Sequence, residues 1–100
     1  MTRPSEYVRN LNQKLEDWEY QLDRFRHRLQ DLREELRERG EERAEDLQAR
    51  RAVLREKLDA VEEQGEHALE DIRDGLELAW EGLRLGLLSA RSEFEPRDDD

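Results

Sequence analysis

The chain has 100 residues, of which 46% are charged and 34% hydrophobic, and its net charge is −10. So small an apolar fraction is typical of a long helix that buries one narrow stripe, and the negative charge argues against nucleic acid and anionic lipid as partners. The sequence has no cysteine and therefore no disulfide, thiolate nucleophile or zinc–thiolate site.

The N-terminal stretch predicts a long helix with a single apolar seam. Thr2 is the expected N-cap, and Pro4 suits the first turn of a helix. Apolar residues then recur at alternating steps of three and four, which is the heptad spacing of a coiled coil. They are Val8, Leu11, Leu15, Trp18, Leu22, Phe25, Leu29, Leu32 and Leu36.

Beyond Leu36 the apolar period lengthens to eleven residues, marked by Leu36, Leu47, Leu58, Leu69 and Trp80. That period favours a straight or slightly right-handed seam. The seam is poorest around Gly40, where a glycine costs a helix only about 1 kcal/mol relative to alanine. Two interpretations stay open: one long helix with a weak hinge, or an antiparallel helical hairpin that bends near residues 38–46. Gly65 is a second soft point.

The last segment, residues 66–91, is the most apolar part of the chain and continues the stripe. Its predicted interface residues are Leu69, Ile72, Leu76, Trp80, Leu83 and Leu87. Small residues at Gly75, Ala79, Gly82 and Gly86 suggest close approach of another helix. Pro96 should end the helix near Phe94 or Glu95. Residues 1–95 thus form one helical region, and residues 96–100 a disordered acidic tail.

Few residues suggest chemistry. His27 and His67 lack the spacing of a helical metal site, so both are expected on solvated faces. An acidic strip around Glu62 and Glu70 is likewise expected to be solvated. Trp18 and Trp80 are expected in the core, and a hairpin would place Trp18 near Gly65. We therefore predict no catalytic, cofactor-binding or metal-binding residues.

Three stretches carry a resemblance to a known family: EYVRNLNQKLEDWEYQLDRF, EDLQARRAVLREKLDAVEE and ALEDIRDGLELAWEGL. Their motifs fall on Tyr7, Leu11, Leu15 and Trp18, then on Glu45, Leu47, Arg50 and Arg51, then on Asp71, Gly75 and Trp80. Over about residues 6–94 the chain resembles a family of small bacterial coiled-coil proteins of largely unknown function, some of them linked to stress responses. The resemblance implies a helical protein without established catalytic residues.

These observations favour an all-α, non-enzymatic protein that self-associates as a coiled coil and has a structural or stress-related role. The expected oligomer interface combines the seam from Val8 to Leu36 with the stripe from Leu69 to Leu87. The alternative is an amphipathic protein that binds lipid or client proteins through residues 68–88, although the acidic polar face disfavours anionic bilayers. No apolar run near the start suggests a leader, so we expect a cytoplasmic protein with no small-molecule substrate.

Overall fold

The computed structural model describes residues 4–94, which form three α-helices. Helix α1 spans Pro4–Leu29, α2 spans Glu34–Gln64, and α3 spans Glu66–Phe94. The prediction of an all-α fold is confirmed. The predicted N-cap Thr2 and the predicted acidic tail lie outside the described residues, while Pro4 begins α1 as expected.

The three helices lie side by side and alternate in direction. Arg51 contacts Glu19 and Arg43 contacts Glu93, so α2 runs antiparallel to both neighbours. Phe25 stacks edge-on against Phe94 with ring centroids 6.2 Å apart, so α1 and α3 are parallel. The described part of the chain measures 49 × 24 × 18 Å, and a helix as long as α2 spans about 46 Å. The longest dimension of the bundle therefore matches the length of a single helix.

The first reversal of the chain occurs at residues 30–33 and not near Gly40. The backbone N–H groups of Gln30, Asp31 and Leu32 each bond the carbonyl three residues earlier, which tightens the end of α1, and Arg33 is extended with φ −60° and ψ 153°. Basic residues close α1 and acidic residues open α2, and both charges suit the helix dipoles.

The second reversal is made by one residue, Gly65, the predicted soft point. Its φ of 86° and ψ of −157° lie in a region that is essentially restricted to glycine. The Gly65 N–H still bonds the Val61 carbonyl at 2.8 Å, and the Leu69 N–H bonds the Gly65 carbonyl at 3.3 Å. The backbone can therefore reverse here with hydrogen bonds on both sides of the turn.

The chain forms neither the predicted long helix nor the predicted bend near residues 38–46, because it reverses at residues 30–33 and at Gly65 to give three helices. Helix α2 passes straight through Gly40, which is buried because α1 approaches closely. An added Cβ at Gly40 would overlap the Leu29 side chain, with Leu29 Cδ1 at 2.8 Å. Folding back lets the chain cover its own apolar stripe, and packing of this kind supplies most helix stability in water.

Candidate interaction surface

Most residues predicted to face another copy face the other helices of the same chain instead. Leu32, Ile72 and Trp80 are half-buried, and Leu36 is exposed. The remaining members of the predicted interface are buried: Val8, Leu11, Leu15, Trp18, Leu22, Phe25, Leu29, Leu69, Leu76, Leu83 and Leu87. An oligomer that used this seam would have to open the bundle.

Trp18 ties α1 to α3 at the centre of this core. Its side chain is 3% exposed, and its indole N–H donates a hydrogen bond of 2.9 Å to the Leu83 carbonyl. The expectation that Trp18 is a core residue is confirmed. The hairpin version, which placed Trp18 beside Gly65, is wrong because the chain turns earlier and brings α3 alongside α1.

Trp80, by contrast, lies in a groove between the parallel helices α1 and α3. The groove holds about 730 Å³ and is also lined by Tyr7, Lys14 and Arg73. The Arg73 guanidinium lies 5.3 Å from the centre of the Tyr7 ring. Burial, and secondarily the negative charge of Glu77, raises the pKa of Tyr7 above its ordinary value. The phenol is therefore neutral at physiological pH.

Ion pairs lie along and between the helices. Within α2, Arg50 pairs with Asp46 one turn earlier at 3.2 Å. Between helices, Arg51 approaches Glu19 at 3.0 Å and Arg43 approaches Glu93 at 3.0 Å. All these side chains are at least partly exposed, so each pair contributes about 0–1 kcal/mol. They favour one helix arrangement over others, while the apolar core supplies most of the stability.

The outer face of α3 carries three large apolar side chains that remain uncovered. Leu78 is 74% exposed, Leu85 51% and Leu88 49%. Leu78 and Leu85 are seven residues apart and Leu88 follows three later, so the three lie on one side of the helix. That side is opposite to the row of Leu69, Leu76 and Leu83, which enters the core. We call Leu78, Leu85 and Leu88 the outer leucine face.

Charged groups surround the outer leucine face. Glu81 lies between its leucines in sequence and accepts a hydrogen bond from Arg84. That hydrogen bond holds the pKa of the Glu81 carboxyl below its usual range and raises the pKa of the Arg84 guanidinium. Both side chains are about half exposed, and the pair leaves this part of the face without net charge at neutral pH.

Open helix surface also flanks the outer leucine face. A Cβ added at Gly75 or Gly82 would meet nothing within 4 Å. Among the glycines of the predicted small-residue row, all of which lie in the described part of the chain, only Gly86 is closely approached by another helix. An added Cβ there would lie 2.7 Å from Leu47 Cδ2. Gly75 and Gly82 have no such neighbour.

The histidines and the acidic strip occupy the positions expected of solvated residues. His27 and His67 are both exposed. Within residues 4–94, no group of three or more histidine and acidic side chains is arranged to hold a metal ion. In the same range, no helix combines the length and the apolar character needed to cross a membrane.

The outer leucine face is not among the predicted interface residues, because those residues all belong to one stripe of the helix. Leu78 and Leu85 repeat every seven residues, two positions after Leu76 and Leu83. Two leucine rows offset by two residues lie about 200° apart around a helix. A helix that carries both leucine rows can bury one row inside the bundle and leaves the other row exposed. The second row was therefore the signal in the sequence from which the outer leucine face could have been predicted.

Comparisons of the chain with protein-family models, curated proteins and solved structures found no match. The resemblance to small bacterial coiled-coil proteins, and the stress-related role that it implies, therefore stay predictions.

Proposed function

We propose that the protein is a non-enzymatic helical scaffold that self-associates through the outer leucine face of α3. The observation that carries this proposal is the exposure of Leu78, Leu85 and Leu88 on one side of a helix whose other side packs in the core through Leu69, Leu76 and Leu83. Contiguous apolar side chains on the surface of a small protein mark a site of association.

The burial pattern supports a binding role over a catalytic one. Among the described residues, every side chain in the core is apolar, and no charged or polar side chain is buried. General acid–base catalysis relies on ionisable groups held in a desolvated cleft. The groove beside Trp80 is open, and its charged residues include the pair of Glu81 with Arg84, whose side chains are about half exposed.

The expected association is weak. Full burial of a leucine side chain contributes about 1.5–3 kcal/mol, and the three leucines are half to three-quarters exposed in each copy. Association itself costs at least about 4 kcal/mol in lost freedom of motion. We therefore expect dissociation constants in the micromolar range or weaker, so that assembly depends on the local protein concentration.

Lipid or client binding through residues 68–88 is the alternative. Much of the apolar surface of that segment, including Leu69, Leu76 and Leu83, lies in the bundle core. Binding that used this buried stripe would have to separate α3 from α1 and α2, whereas self-association can use the outer leucine face as it stands.

Sedimentation velocity over a range of concentrations tests the proposal. The average mass should rise above the 12.1 kDa of one chain as the concentration increases. Leu78→Ser with Leu85→Ser should abolish that rise and leave the helicity of the dilute protein intact. The matched control is Val53→Ser on α2, because Val53 is 52% exposed and Leu85 51%. This control should associate like the wild type. A wild-type protein that stays monomeric at high micromolar concentration would refute the proposal.

A further inference from the structure

The charges beside the outer leucine face change sign along α3. Glu70, Glu77, Arg84 and Arg91 are spaced seven residues apart and so form one row along one flank of the leucines. The first two are acidic and the last two basic. The opposite flank is formed by Gly75, Gly82 and Ser89, which have the same spacing and are all exposed.

This change of sign gives the two orientations of a helix pair different electrostatics. If two α3 helices packed parallel around a two-fold axis, the charged row of each copy would lie beside Gly75, Gly82 and Ser89 of the other and would meet no opposite charge there. If they packed antiparallel, the two charged rows would lie on the same side of the interface, with the acidic half of each beside the basic half of the other. Complementary charges across an interface therefore favour the antiparallel orientation.

We propose that a second copy of this chain packs on α3 in antiparallel orientation, around a two-fold axis near residue 83. The proposal rests on the self-association described above and adds its geometry. Leu78 of each copy lies against Leu88 of the other, and the two Leu85 side chains meet beside the axis. Such an interface is isologous, since one surface patch serves both copies.

The same register places the flanking charges in complementary positions. Glu77 of each copy lies near Arg91 of the other. The Glu81–Arg84 pairs of the two copies surround the axis as a neutral group of four charges. On the other flank, Gly82 of each copy lies close to the axis, where the absence of a Cβ lets the helices approach closely.

Disulfide trapping tests the orientation, because the natural sequence has no cysteine. Asp74→Cys and Ser92→Cys alter two exposed positions of α3 outside the outer leucine face. In the antiparallel register, position 74 of one copy faces position 92 of the other. Two copies of the same single variant then hold their thiols about 27 Å apart along the helix, far beyond the reach of a disulfide.

The variants are prepared with tags of different size and oxidised separately and as a mixture. We expect a disulfide-linked dimer that contains one chain of each kind from the mixture, and none from either variant alone. A parallel pair would cross-link each variant with itself. Association without cross-linking in any sample would place the interface elsewhere. Either result overturns the antiparallel pair and leaves self-association standing. If sedimentation shows that neither the variants nor the wild type associates, self-association is overturned as well.

Charge reversal provides a second test that leaves the leucines unchanged. Glu77→Arg should weaken association about tenfold, because two attractive contacts become repulsive. Adding Arg91→Glu in the same chain should restore it, since the reversed charges again complement each other across the axis. Failure of the double variant to recover affinity, while its dilute form keeps wild-type helicity, would contradict the register.

Discussion

The packing of α3 can be tested by making the same substitution, leucine to alanine, at two positions, Leu76 and Leu78. They are the same residue type, two positions apart, in the same helix. Leu76 is fully buried, whereas Leu78 is 74% exposed. Replacement of a buried leucine by alanine costs about 2–5 kcal/mol, because the lost apolar contacts leave a cavity. A surface substitution usually changes stability by less than about 0.5 kcal/mol.

These magnitudes can be resolved because the whole domain is only marginally stable. A domain of this size unfolds with a free energy of about 5–15 kcal/mol, so Leu76→Ala should remove a large share of it. Leucine and alanine are both good helix formers, so intrinsic propensity contributes little to either value. The difference between the two variants therefore reports tertiary packing.

The assay is urea unfolding followed by circular dichroism at a protein concentration low enough to keep the chain monomeric. We expect the midpoint to fall strongly for Leu76→Ala and to stay close to wild type for Leu78→Ala, with similar slopes. Equal destabilisation by the two substitutions would refute the orientation assigned to α3. A large effect of Leu78→Ala that appears only at high concentration would instead report association.

Three further predictions concern Gly75, Gly65 and Tyr7. Gly75→Ala should raise the free energy of unfolding of the dilute protein by about 0.5–1 kcal/mol, because its Cβ meets open space in a helix. Gly65→Ala should lower it by about 1–2 kcal/mol through its φ of 86°; a gain from Gly65→Ala in urea unfolding would contradict the turn. Because burial raises the folded pKa of Tyr7 above its ordinary value of 10.0, its contribution to stability is complete below the unfolded pKa and is lost as pH rises through the folded pKa. Unfolding titrations across alkaline pH should therefore show a steeper loss for wild type than for Tyr7→Phe, and identical losses would show that Tyr7 titrates alike in both states.

Much of the local structure follows from the sequence alone. The three-and-four spacing from Val8 to Leu29 sets one apolar stripe on α1, and all seven of its residues are buried. Gly65 was predicted as a soft point, and its residue type permits the turn, because only glycine readily adopts that backbone conformation. The other predicted soft point, Gly40, lies inside α2. Spacing and conformational freedom are properties of the chain itself, so local reasoning can find them.

The partner of each stripe was decided by the tertiary structure. The seam through Leu29, Leu32 and Leu36 has unbroken heptad spacing, yet the chain turns within it, because folding back lets α1 pack on α2 and α3. The change from basic residues at the end of α1 to acidic ones at the start of α2 was the sequence signal for this turn, and it is weaker than a glycine or proline. Likewise, Leu76 and Leu78 are equivalent in helix propensity and hydrophobicity. Only the positions of the neighbouring helices determine that Leu76 lies in the core and Leu78 on the surface.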